Sequence, residues 1–139
     1  RDRENTEKYI KDLEKVEKQY EEISQELNGQ KAICLNEALE YLAKDIKLEY
    51  ISLHTDHDEN SMSAESIKNI INKMNTENIK IILIGKDDSI KNAEILANET
   101  NAKIYKLDTV LTGATDKSAY IDAANRNLEV LKSVLGDEK

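Results

Sequence analysis

The chain has 139 residues, enough for one hydrophobic core and too few for two ordinary domains. Its formal net charge of -8 and pI near 4.9 exclude a general nucleic-acid or anionic-membrane surface, because phosphate contacts need clustered Lys and Arg. Charged residues make up 35% and hydrophobic residues 39%, while the absence of Pro, Phe and Trp and a total of 4 Gly leave caps and charge changes to mark the boundaries.

The first segment, residues 1–29, reads as a long helix. Leu13, Val16, Tyr20, Ile23 and Leu27 alternate spacings of three and four, which draws one narrow apolar seam through Glu and Lys, and Gly29 supplies the stop. Two heptads are short for a coiled-coil arm, so the seam is expected to pack along its own domain. The chain opens at Arg1 inside this helical pattern, and we read it as a piece of a longer protein.

Four short apolar runs follow, each stopping at a polar residue where a helix can begin. Ala32–Leu35 is the first strand, holding the single cysteine, Cys34, as a buried small hydrophobe outside any disulfide framework. Asn36 then caps a helix over Glu37–Lys44, whose Ala38, Leu39, Leu42 and Ala43 share one side. Tyr50–His54 is the second strand, and Thr55–Ser61 a polar loop. Ser63 caps a helix bearing Ile67, Ile70, Ile71 and Met74 at core spacing.

Ile79–Ile84, broken only by Lys80, is a run of mostly β-branched residues, the pattern of a central parallel strand covered on both faces. Asp88 or Ser89 caps the next helix, with Ile90, Ala93, Leu96 and Ala97 facing in. Lys103–Leu107 is the fourth strand. A last helix, roughly Ser118 to Leu135, carries Ile121, Ala124, Leu128, Leu131 and Leu135 and meets Gly136 at its end.

Strands alternating with helices predict an α/β fold: a three-layer domain with a four-stranded parallel sheet, led in by the N-terminal helix. The strand ends Asn36, His54, Gly85 with Lys86, and Asp108 then line one edge, and open α/β sheets bind ligands at their carboxyl edge. Among them His54-Thr55-Asp56-His57-Asp58-Glu59 is the one metal-like cluster that the bare sequence offers, with two imidazoles and three carboxylates in six residues. Its plain alternative is a solvated acidic loop. Asp108 has the alternative of starting a polar loop, and Asn36 that of a helix cap. The glycines are scattered, so no phosphate loop is present, and no nucleophile stands beside a base.

Tyr41-Leu42-Ala43-Lys44-Asp45 followed by Ile51-Ser52, the run Ala93-Glu94-Ile95-Leu96-Ala97-Asn98-Glu99-Thr100-Asn101-Ala102-Lys103, and Asn127-Leu128-Glu129-Val130-Leu131 resemble the C-terminal lobe of the metal-binding solute receptors of ABC transporters. The resemblance implies that residues 1–29 end the helix joining two lobes and that 30–139 are the second lobe, the amino-terminal lobe being absent. It implies an extracellular lipoprotein, adhesin-like, anchored outside the cell or in the periplasm, that captures zinc, manganese or iron and passes it to a membrane permease. No bond is made or broken in that role, and this part inserts into no membrane.

In the family the amino-terminal lobe supplies two histidines, and the C-terminal lobe a His or Glu after its first strand and an Asp after its fourth. On this sequence the last two positions are Asn36 and Asp108, so the expected metal ligands for zinc or manganese are Asp108, His54 as a replacement, and Asn36 by position. Asn36 departs from the pattern because an amide oxygen is a poor zinc ligand. Gly85 stands where Glu is common, and Thr109 where Pro is frequent. A lobe that kept the fold but lost the metal, binding another solute or a protein partner, is the first alternative. A metal-dependent hydrolase built on His54, His57 and Asp108 is the second, and it lacks a convincing base.

Overall fold

The most apolar run of the chain becomes the middle of a sheet. In the computed structural model, which describes residues 2–53, 63–109 and 116–137, strand β3 (Ile81–Gly85) is buried at every position. It pairs in parallel with β1 (Lys31–Cys34) on one side and β4 (Lys103–Leu107) on the other, and β2 (Glu49–Ser52) closes the far side of β1. The order is β2-β1-β3-β4, so the chain reverses its direction of travel across the sheet between β1 and β3. Among the described residues five helices surround it: α1 (Asp2–Glu26), α2 (Ala38–Asp45), α3 (Ala64–Thr76), α4 (Lys91–Asn98) and α5 (Lys117–Asp137).

Strand residues alternate between two cores, as a side-chain period of two requires. Ala32, Cys34, Ile81, Leu83, Tyr105 and Leu107 face α1, α2 and α5. Ile33, Ile82 and Ile84 face α3 and α4, where Met74, Ala93 and Leu96 meet them. These are the three layers expected from the sequence. Truncating a central residue such as Leu83 to Ala costs roughly 2–5 kcal/mol by transfer and cavity terms together.

The long first helix packs along its own domain. Val16, Ile23 and Leu27 are buried in the core shared with α5, and the Tyr20 hydroxyl donates to the carbonyl of Ala124 at 3.0 Å. Gly29 takes φ +90°, the left-handed conformation that stops a helix at little steric cost. The next two helices end without glycine. Lys47 (φ 56°) and Asn78 (φ 55°) adopt the same conformation, and the following amides close the ends, Leu48 onto Ala43 at 2.9 Å and Ile79 onto Met74 at 2.8 Å. Leu48 and Ile79 are themselves buried, so an apolar anchor drives each stop where the sequence offered no Gly.

Four local expectations are corrected. Asp88 does not cap α4; its carboxylate turns back to the Gly85 amide, and Ser89 Oγ instead accepts from the Lys91 amide at 3.3 Å. Ile90, expected to face inward, is 37% exposed because it occupies the cap position of α4. Gly136 does not end α5, which runs to Asp137, where the carboxylate accepts from the Tyr105 hydroxyl at 2.8 Å and lies 3.5 Å from Lys103 Nζ. β2 ends at Ser52 and not at residue 54, although the Leu53 amide still donates to Cys34 at 2.9 Å. His54 and the cluster running to Glu59 lie outside the described residues.

Candidate functional site

Parallel pairing aligns the strand ends into a row. Gly85 stands opposite Leu107, the Lys86 amide donates to the Leu107 carbonyl at 2.8 Å, and the Leu35 amide donates to the Leu83 carbonyl at 3.0 Å. Asn36, Gly85 and Asp108 therefore follow one another along the carboxyl edge at the ends of β1, β3 and β4. The spacing between adjacent strands is about 4.8 Å. The point where the chain reverses, between β1 and β3, falls inside this row.

Asp108 is the buried acid of the edge, 4% exposed. Two neighbouring residues of α5 hold it. Asn127, itself buried, accepts from the Asp108 amide at 2.7 Å and donates to the Asp108 carbonyl at 3.0 Å. Arg126 donates from Nη2 to the carboxylate Oδ2 at 2.6 Å, and Lys86 Nζ lies 3.5 Å from the same oxygen. A buried carboxylate with two cations against it is neutralised where it stands. Asp108 and Thr109 also line a hollow of about 470 Å³ between α2 and α5, walled by Tyr41 and Tyr120.

Asn36 spends both ends of its amide on the protein. Its Oδ1 accepts from the Ala38 amide at 2.8 Å, so it does cap α2, from one residue before the helix's own cap position at Glu37. Its Nδ2 donates to Asp88 Oδ2 at 2.8 Å, and that oxygen also accepts from the Gly85 amide at 2.8 Å. Gly85 is what admits this arrangement. A Cβ built there would lie 2.6 Å from Asp88 Oδ2 and 3.0 Å from Asn36 Nδ2. The two departures from the receptor pattern, Asn36 and Gly85, are thus one feature: a carboxylate from residue 88 fills the space where a side chain at 85 would begin.

Cys34, two residues before Asn36, is fully buried, and burial followed by the charge of Glu40 pushes its thiol up to about 12. A thiol held neutral is neither a nucleophile nor a ready metal ligand near neutral pH. Among the described residues no three His, Cys, Asp or Glu side chains come together as a metal cluster does. The row offers one buried carboxylate, one amide and two cations.

Arg126, Lys86 and Asn127 as partners of Asp108 were not found from the sequence. One signal was present: Arg126 is the single arginine after Arg3 in a lysine-rich chain, and arginine's planar fork suits a carboxylate better than lysine's point charge. Asn127 falls three residues after Ala124 and four before Leu131, so its place in the buried stripe was legible, but not the partner it meets there.

The profile of the family described as zinc-uptake complex component A, periplasmic (ZnuA), matches residues 2–134. The high-affinity zinc uptake system protein ZnuA of Bacillus subtilis (strain 168) is 30% identical over 136 residues, which is 94% of this chain and 42% of that protein. The metal-dependent lipoprotein YcdH from Bacillus subtilis has a similar structure, with a TM-score of 0.72 at 28% identity over 94% of this chain and 51% of its own. The laminin-binding protein Lbp of Streptococcus pyogenes shares the fold with a TM-score of 0.72 at 23% identity, over 95% of this chain and 52% of its own. The chain thus spans about half the length, or less, of the proteins it matches. Among the described residues no helix is long and apolar enough to cross a membrane.

Proposed function

The chain belongs to the family of the periplasmic zinc-uptake complex component A, and from that membership we propose that it is the C-terminal lobe of a two-lobed receptor capturing a divalent transition metal for an ABC permease. In this reading residues 1–29 end the helix that joins the lobes, residues 30–139 form the lobe itself, and an amino-terminal lobe completes the site. Zinc or manganese is the cargo, and the receptor works outside the cell or in the periplasm, anchored through the rest of the protein. It captures an ion and makes or breaks no bond.

The observation that carries the reading is the buried Asp108 at the carboxyl edge of a chain matched along nearly its whole length. A carboxylate oxygen suits either ion, and the α5 clamp from Asn127 sets its position before any ion arrives. Arg126 and Lys86 occupy the carboxylate in the meantime. An incoming dication takes their place, and the Arg126 side chain, 56% exposed, has solvent to swing into. The energy of that pair is subtracted from the ion's affinity, so capture by this lobe alone is weak.

A second reading is favoured by Asn36 and Gly85: a lobe that kept the fold and gave up the metal. With the Asn36 amide committed to Ala38 and Asp88, the position of the second ligand in the receptor pattern offers none among the described residues. Calorimetric titration of zinc and manganese into the two-lobed protein and its Asp108→Asn variant separates the readings. Receptor function predicts saturable binding that weakens at least tenfold in the variant. No saturable binding of either ion, or binding indifferent to Asp108→Asn, would sink the assignment of Asp108 and leave the second reading.

A further inference from the structure

A second cavity lined by described residues lies among α1, α2 and α5, next to the hollow at Asp108. It measures about 570 Å³, within the range of small-molecule sites. Val16, Leu42 and Ala124 give it an apolar floor, one residue from each helix. Tyr20 and Tyr120 stand in its wall, and Tyr20 is fixed there by its hydrogen bond to the Ala124 carbonyl.

The charges around it are one-sided. Among the described residues Glu17, Glu21 and Asp45 line the cavity, and Lys47 is the cation set against them. Two of the three, Asp45 and Glu17, also act on the tyrosines. Asp45 raises the hydroxyl pKa of both Tyr20 and Tyr120, second to burial and the neighbouring ring, and Glu17 adds to the effect at Tyr120. A preformed hollow that combines an apolar floor, two aromatic rings and an excess of carboxylates has the chemistry that holds a positive charge on an organic body. A bare metal ion needs convergent oxygens instead of a greasy floor, and an anion meets repulsion from three sides.

We infer that this cavity is a binding site for a small organic ammonium ion, with the cation set between Asp45, Glu17 and the tyrosine rings and its apolar body against Val16 and Leu42. Asp108 does not line this cavity, although Leu42, Asp45 and Tyr120 line both it and the neighbouring hollow at Asp108.

Tetraethylammonium chloride titrated into the 139-residue chain tests this, with proton NMR of the tyrosine rings as the readout. With no Phe or Trp and 6 Tyr, those signals are sparse enough to assign. Saturable shifts at Tyr20 and Tyr120 that sodium chloride of equal ionic strength does not produce are the expected result. A Glu17→Gln, Asp45→Asn double variant should weaken the binding roughly fivefold while leaving the other tyrosine signals unchanged. Both residues are exposed, so the fold survives the change. Shifts that never saturate, that sodium reproduces, or that persist at full affinity in the double variant would overturn the inference.

Discussion

Removing the Arg126 guanidinium should destabilise the fold and strengthen cation binding at the same time. Asp108 is 4% exposed and receives a 2.6 Å charged hydrogen bond from Arg126. Such a bond is worth about 1.5–3 kcal/mol, and stranding a buried charge costs about 3–5 kcal/mol. Two facts lower the upper figure. Arg126 is 56% exposed, so water screens its half of the pair, and Lys86 remains 3.5 Å from the same oxygen. Arg126→Ala should therefore cost about 2 kcal/mol, or roughly 7 °C in Tm for a chain of this size. In an Asp108→Asn background, where no charge is left to strand, the same change should cost under about 0.5 kcal/mol. Urea denaturation of the four proteins at one ionic strength measures the cycle, provided the slopes agree. Additivity within about 0.5 kcal/mol would refute the pairing. Under the proposed receptor role the sign reverses for the ion: Arg126→Ala in a two-lobed receptor should tighten zinc or manganese binding, because the competitor for the carboxylate is gone. A loss of affinity there would show that Arg126 supports the ion and does not compete with it.

Three further outcomes follow from the same geometry. Gly85→Ala and Asp88→Ala should each cost about 1 kcal/mol in urea denaturation, and the double variant little more than either, because both break the one contact that joins Asn36, Gly85 and Asp88; full additivity would mean the residues act separately. Lys47→Gly should raise stability by about 0.5–1 kcal/mol in thermal denaturation, since φ 56° strains a side-chain-bearing residue and not glycine, and any loss would count against that backbone conformation. Cys34 should resist a thiol reagent at pH 8 until urea unfolds the chain, its thiol being pushed up to about 12 by burial. A folded pKa raised above the unfolded value gives stability that is complete below the unfolded thiol's pKa of about 8.5 and declines from there towards 12, so Cys34→Ala should flatten the alkaline limb of the stability profile; prompt labelling of the folded protein would contradict the burial.

Layer order and helix faces were legible in the sequence because they rest on spacing. The run Ile79–Ile84 marked the central strand, and the period of Ile121, Ala124, Leu128 and Leu131 marked the buried stripe of α5. Each signal lies within a few residues of the element that it predicts, and so does Ser63, which caps α3 by accepting from the Ser66 amide at 3.1 Å. Asp108 and Asn36 could likewise be placed on the carboxyl edge, since alternating strands and helices leave parallel strand ends no other side to share.

What each of those residues touches was settled by tertiary structure alone. Asn36 and Asp88 are 52 positions apart and meet because β1 and β3 are neighbours in the order β2-β1-β3-β4, which no local period encodes. Asp108 meets Arg126 because the pitch and rotation of α5, set by its packing against α1 and β4, bring that side chain over the end of β4. The cavity between α1, α2 and α5 likewise exists only once three helices from both ends of the chain have docked on one sheet face. Secondary structure follows from neighbours along the chain, whereas a site is made by neighbours in space, whose charges and hydrogen-bonding groups acquire their partners only when the sheet closes.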